Sequence, residues 1–327
     1  VVAVLAPGGA LPGRDAAVAG ARAAVHRLAS DLGAREGTVV EVRAREYDPV
    51  SGASLRKAVL EVGRDRPLGV LLVPAPDLRE EIDDAVRSLR VPWFVVAPGL
   101  DPDLDLCRSR VFHLAPSAAA EAVFAADALL APLGARRVGI LVEPTARGRA
   151  LAAGLERNLS RFVARAGTAE LRRLSRLLPG GTSITGEIDP AVLAAARARE
   201  ADWIYVAAGG EVVSSLLASL EGGAVPARFL FADGNAAASL LARFPPALLE
   251  GSVFLDGPDP ELTGRAGESL AEALEREGVP LDPVAVRAFE GARRLLAAWM
   301  QAGSAQPTRV LEALAGGAGG SGVLGPV

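Results

Sequence analysis

At 327 residues the chain is longer than one hydrophobic core usually serves, so two domains of roughly 150 residues each are expected. Half of its residues are apolar and 23% are charged. No run of about eighteen apolar residues is present to span a bilayer, which argues against direct membrane insertion of this segment. The formal net charge of -4 and arginines scattered along helices as solvated faces argue against a nucleic-acid partner.

The single cysteine, Cys107, excludes an intramolecular disulfide and any multi-cysteine metal cluster, and only His26 and His113 offer imidazole, so neither a metal nor a cofactor is expected. The sequence starts at Val1 in a strand-like run and stops at Val327 just after another. Both ends are therefore expected to be trimmed, and there is no targeting segment from which to read secretion.

Short runs of valine, isoleucine and leucine alternate with alanine-rich amphipathic stretches, the pattern of buried parallel strands joined by crossover helices, so the fold class is α/β. The first strand is Val1 to Ala6. The glycine and proline cluster Pro7 to Gly13 then leads into a helix from Arg14 to Leu32. Strands follow at Val39 to Ala44, Gly69 to Val73, Trp93 to Ala97 and Arg110 to Leu114, with helices at Leu55 to Arg64 and Arg79 to Leu89. A second series opens with a strand at Val138 to Val142 and a helix at Gly148 to Ala166. It crosses the polar stretch Gly180 to Glu187 to a helix at Pro190 to Arg199, then reaches strands at Trp203 to Ala207, Arg228 to Ala232 and Ser252 to Leu255. Helices at Thr263 to Glu277, Pro283 to Ala302 and Thr308 to Leu314 precede the glycine-rich Gly316 to Gly322.

An internal repeat organises these elements. LGVLLVPAPDLREEIDDAVRSLRVPWFVVAPG, Leu68 to Gly99, and WIYVAAGGEVVSSLLASLEGGAVPARFLFADG, Trp203 to Gly234, both have 32 residues and read strand, loop, helix, Val-Pro, strand. VVAVLAPGG and VGILVEPTARG open the two halves. The equal lengths favour duplication over the general likeness of all βαβ units.

Open parallel sheets bind ligands outside the carboxyl ends of their strands, where loops lead into helix N-termini. Those loops are Pro7 to Gly13, Pro74 to Asp77 and Pro98 to Asp103 in the first half. In the second they are Glu143 to Gly148, Ala208 to Glu211 and Asp233 to Ala236. None carries a GxSxG elbow, a GxxxxGK[ST] phosphate loop, an HExxH or a GxGxxG, which argues for binding without chemistry and against an enzyme. Gly8 and Gly9 lack lysine and hydroxyl partners and read as turn residues. His113 reads as a core histidine, His26 as a surface one and Cys107 as a bystander thiol. Asp233, at the mouth of a strand in FLFADGN, is placed either to pair with a ligand ammonium or to act as an N-cap or turn aspartate. Arg147 and Glu143 either face the ligand or are solvated loop charges.

The stretch FHLAPSAAAEAVFAADALLAPLGARRVGILVEPTARGRALAAGLERNL resembles the lobe crossing and second-lobe opening of type I periplasmic binding proteins, nearest their branched-chain amino-acid receptor branch. ADWIYVAAGGEVVSSLLASL, ARFLFADGN, LLEGSVFLDGPDP and the terminal GVLGPV follow in the family's order. The resemblance implies two Rossmann-like lobes, each a parallel sheet flanked by helices, joined by a three-crossing hinge near Leu114 to Ser117, near Phe254 to Gly257 and at Leu324 to Val327. Lobe one is then residues 1–116 with 256–323, and lobe two is 117–255 with 324–327, with the sequence ending before the family's last strands.

It further implies a receptor in the periplasm or another extracytoplasmic space that closes on a small-molecule ligand and delivers it to the membrane subunits of an ABC transporter. The ligand positions it implies are Pro76, Asp77, Ala97, Pro98 and Gly99 in lobe one and Arg147, Ala208, Gly209 and Asp233 in lobe two. Several depart from the family's pattern. Pro76-Asp77 and Pro98-Gly99 stand where serine or threonine is expected, Arg147 stands for a tyrosine, and another aromatic falls near Ala208. Asp77 would repel a ligand carboxylate and Arg147 would attract one, which puts a conventional leucine or valine ligand in doubt. Two other readings remain: a ligand-independent interaction or sensory module on the same fold, such as a cell-wall synthase activator, and an enzyme with an unrecognised nucleotide site at Pro7 to Gly13.

Overall fold

In the computed structural model of the chain, the described residues are 1–8, 13–32, 39–75, 78–99, 110–166, 201–220, 228–233, 237–255, 265–279 and 281–317. The chain divides into two compact units, Val1–Ala115 with Gly257–Val327, and Pro116–Asp256.

In the first unit, strands β1 (Val2–Pro7), β2 (Val42–Tyr47), β3 (Gly69–Leu72), β4 (Trp93–Val95) and β5 (Val111–His113) form one parallel sheet in the order β2-β1-β3-β4-β5. The chain turns to opposite sides of β1, so the carboxyl ends of β1 and β3 flank a topological switch point. Both faces of the sheet are covered, and alternate residues go to alternate faces. Val2, Val4, Ala6, Leu71 and Phe94 meet α1 (Arg14–Leu32), α9 (Arg265–Arg276), α10 (Pro283–Ala302) and α11 (Pro307–Ala315). Ala3, Leu5, Val70, Leu72 and Trp93 meet α2 (Gly52–Arg64) and α3 (Arg79–Ser88).

Helix α10 is buried on nearly every side, and its ends are written in its sequence. Asp282 caps it, accepting from the Val284 and Ala285 N–H groups at 2.7 and 3.4 Å, Pro283 follows, and Gly303 at φ 60° closes it in the left-handed region. It lies against α1, where a Cβ added at Gly20 would stand 2.9 Å from the Ala285 carbonyl carbon and 3.0 Å from the Phe289 nitrogen. Gly20 thus lets two backbones approach as no larger residue would.

The edge strand β2 departs from the expected Val39 to Ala44. Its apolar start stays outside the sheet, with Val39 81% exposed, and the ladder runs on through the polar VRAREY to Tyr47. The reason is local: Arg43 and Arg45 bond to Asp65 at 2.6 and 2.8 Å, and the buried Tyr47 hydroxyl donates to the Val73 carbonyl at 2.8 Å. Charges along an edge also disfavour pairing with another chain.

In the second unit, β6 (Val138–Val142), β7 (Trp203–Ala207), β8 (Arg228–Phe231) and β9 (Val253–Phe254) pair in that order, all parallel. One face packs on α4 (Ala118–Leu130) and α5 (Ala146–Ala166) through Trp203, Tyr205, Ala207 and Leu230. The other packs on α6 (Gly210–Leu220), α7 (Ala237–Arg243) and α8 (Pro246–Leu249) through Ile204, Val206, Phe229 and Phe231. The two halves of the sequence repeat become β3-α3-β4 and β7-α6-β8, each with its two strands adjacent and parallel. The expected helix Pro190 to Arg199 and the polar stretch Gly180 to Glu187 lie outside the described residues, as does Cys107. Among the described residues no helix is long and apolar enough to cross a membrane, and no group of His, Cys, Asp and Glu is arranged to hold a metal ion.

Candidate functional site

In the first unit Ala97, Pro98 and Gly99 follow β4 at its carboxyl end, with Ala97 buried and Gly99 at φ 142°. Pro76 and Asp77 lie outside the described residues. Gly8 ends β1 against the edge strand, its N–H donating to the Tyr47 carbonyl at 2.7 Å. His113 is half-buried at the end of β5, and His26 is exposed, 3.6 Å from a Glu277 oxygen.

The second unit carries the denser chemistry. The register pairs Val142 with Ala207 and Val206 with Phe231, so Arg147, Ala208, Gly209 and Asp233 gather at the carboxyl end of one sheet. The turn after β6 is tight. A Cβ at Gly148 would stand 3.0 Å from the Ala207 carbonyl oxygen and closer still to that of Glu143, so only glycine fits. Thr145 Oγ1 accepts from the Gly148 N–H at 3.1 Å and caps the start of α5, which directs Arg147 inward from the first helical turn. Glu143 Oε2 accepts from the Gly209 N–H at 2.8 Å and joins the loops after β6 and β7.

Beneath this rim lies a buried polar network centred on Glu121, which is 2% exposed on α4. Its Oε1 accepts from the Asp233 N–H at 2.8 Å and from the Tyr205 hydroxyl at 3.3 Å. Its Oε2 accepts from Arg147 Nη2. One carboxylate therefore holds together α4, α5, β7 and the end of β8. Burial pushes the Glu121 carboxyl above its usual range, against the pull of the Arg147 charge and the Asp233 N–H. Burial, with Glu121 alongside, pushes the Tyr205 phenol well up, so it stays a neutral donor.

Sequence reasoning singled out Arg147 and Asp233 and missed Glu121 and Tyr205, which connect them. Arg147 is not a solvated loop charge: its side chain is 13% exposed and paired with Glu121. Asp233 is 5% exposed. The overlooked signal was an acid at position 121 among Ala118, Ala122 and Ala125, on the apolar face of a helix. A charge in that setting needs a buried partner.

A periplasmic binding protein family model matches residues 7–327. The chain belongs to that family. Its members are binding proteins, and the two α/β units agree with the family's known folds. A leucine binding protein from Thermotoga maritima has a TM-score of 0.76 at 18% identity, over 99% of this chain and 89% of that one. A solute binding protein of an R. palustris ABC transporter, in complex with benzoate, has 0.75 at 14% identity, over 99% and 87%. An ABC transporter substrate-binding protein from Desulfitobacterium hafniense, in complex with Leu, has 0.70 at 17% identity, over 99% and 91%. At these identities the likeness speaks for the fold. No curated protein matches the sequence significantly.

Proposed function

We propose that this periplasmic binding protein family member is an extracytoplasmic receptor for a small polar ligand, an amino acid or a related amide or carboxylate, serving an ABC importer. The observation that carries the reading is the rim of the second unit, where Arg147, Glu143, Asp233 and the Gly209 main chain meet at the carboxyl ends of parallel strands. Open parallel sheets take ligands at that end. The importer role and compartment rest on family membership and on neighbours that are themselves named as ABC transporter proteins. Ala97, Pro98, Gly99 and, from the sequence, Pro76 and Asp77 complete the proposed ligand set on the first unit, and the two units correspond to the two lobes.

The test is a thermal-shift screen of amino acids, small carboxylates and amides against the purified chain. Binding stabilises by about 2.7 kcal/mol at a hundredfold excess over Kd, a shift of several degrees for a protein of this size. At least one compound is expected to raise Tm, and Asp233→Ala to abolish the shift. No shift from any compound refutes the receptor reading and leaves a ligand-independent interaction module.

A further inference from the structure

Helices α2 and α3 cover one face of the first sheet and lie side by side from end to end. At their starts a Cβ added at Gly52 would stand 2.7 Å from the Glu81 Cγ, and at their ends one at Gly63 would stand 3.0 Å from the Leu89 Cδ2. Leu55, Ala58, Val59 and Val62 of α2 and Ile82, Ala85 and Val86 of α3 turn inward to the core. What remains carries opposite charge on the two helices. α2 holds three cations, Arg56, Lys57 and Arg64, to one acid, whereas α3 holds four acids, Glu80, Glu81, Asp83 and Asp84, to two cations.

These charges do not satisfy one another within the chain. Among the described residues no ion pair crosses from α2 to α3. Glu61 pairs with Arg45 of the edge strand at 3.5 Å, and Arg87 pairs with Asp83 and, at 3.7 Å, with Asp84 of its own helix. Arg56, Lys57, Arg64 and Glu80 are exposed, with no ion-pair partner among the described residues. One turn beyond Arg56 stands Leu60, a large apolar side chain that is 68% exposed.

A surface with a basic ridge beside a parallel acidic one is complementary to itself. Turned by a two-fold axis running along the groove between the ridges, a second copy lays its α3 on α2 and its α2 on α3, so that each basic helix meets an acidic one. We propose that α2 and α3 form the face on which two copies of this chain associate as a symmetric dimer, with Leu60 gaining cover from the partner. A helix of 13 residues is about 20 Å long and about 10 Å wide, so the pair offers roughly 400 Å² per copy. Exposed ion pairs select the partner and its register more than they hold it. The dimer is therefore reversible, with a Kd on the order of 10–100 µM, as suits a small interface.

The experiment is sedimentation velocity of the full chain from about 1 µM to about 500 µM, a range that brackets the expected Kd. Two reversals test the pairing. Arg56→Glu with Lys57→Glu makes both helices acidic, and Glu80→Arg with Asp84→Arg makes both basic. Each variant is first shown by circular dichroism to keep the wild-type helix content. The wild type is expected to pass from monomer to dimer across the range, and each variant alone to dimerise at least about tenfold more weakly. An equimolar mixture of the two variants is expected to regain the dimer, because in the mixed pair every α2 again faces an α3 of opposite sign. A wild type that stays monomeric throughout assigns the face to some other protein and overturns the proposal. A dimer that survives both reversals lies on a different surface and overturns it as well. Loss in each variant without recovery in the mixture refutes the reciprocal pairing of α2 with α3.

Discussion

Gly20→Ala sets helix propensity against packing. Gly20 lies inside α1, where exchanging glycine for alanine ordinarily gains about 1 kcal/mol. The structure demands the opposite sign. The new methyl would stand 2.9 Å from the Ala285 carbonyl carbon and 3.0 Å from the Phe289 nitrogen, and closer still to the Ala285 oxygen. Carbon contacts normally settle at about 3.5–4.0 Å, so α1 and α10 must separate by roughly 1 Å. Every obstructing atom is backbone, and no rotamer change relieves the clash.

Overpacking costs about 1–3 kcal/mol where side chains yield, and a rigid helix pair belongs at or above the top of that range. After the propensity gain, a net loss of roughly 2 kcal/mol remains, which lowers Tm by about 4–8 °C for a domain of this size. The assay is thermal unfolding followed by circular dichroism, with the fluorescence of Trp93 and Trp299 reporting the first unit. A Tm equal to or above the wild type would show that the α1–α10 approach is not close in solution and would refute the argument.

Asp282→Ala removes the acceptor for two N–H groups at the start of α10 and should cost about 1 kcal/mol, seen as a lower urea midpoint; an unchanged midpoint counts against the cap. Glu121 gives the chain a pH signature. Its folded carboxyl holds a proton to higher pH than it does in the unfolded chain, so stability falls as pH rises from the ordinary glutamate range through the raised value, and levels off above it. Urea unfolding from about pH 4 to about pH 8 should show a more negative slope in the wild type than in Glu121→Gln, the difference being the share of Glu121; equal slopes would mean that Glu121 titrates alike in both states.

The fold was legible wherever local chemistry and burial agree. Strands Val138–Val142 and Trp203–Ala207 and helices Arg14–Leu32 and Pro283–Ala302 run as their patterns predict, and α10 shows why: Asp282-Pro283 starts a helix and Gly303 stops one. Strand β2 was misplaced because apolar Val39 and Val40 look like a strand start, whereas an edge strand answers to its charged neighbours. The run Ala118–Leu130 went unassigned because its alanines give little periodic contrast, so α4 and its buried acid were missed together. The site was half legible. Loop position alone suggests Arg147 and Asp233, but that Glu121 ties one to the other depends on contacts spanning 112 residues along the chain, which no local pattern announces.

The first unit is built from the two ends of the chain and the second from its middle, and this sets an order in which they are able to form during synthesis. Among the described residues, β6, β7, β8 and β9 all lie within Pro116–Asp256, which leaves the ribosome as one contiguous piece. The first sheet waits. Val2, Val4, Ala6, Leu71 and Phe94 have α1 early but share their cluster with α10, and until that helix emerges part of this apolar face is left uncovered. Nascent chains in that state depend on holding factors against aggregation, so the middle of the protein is positioned to mature while its beginning is still in custody.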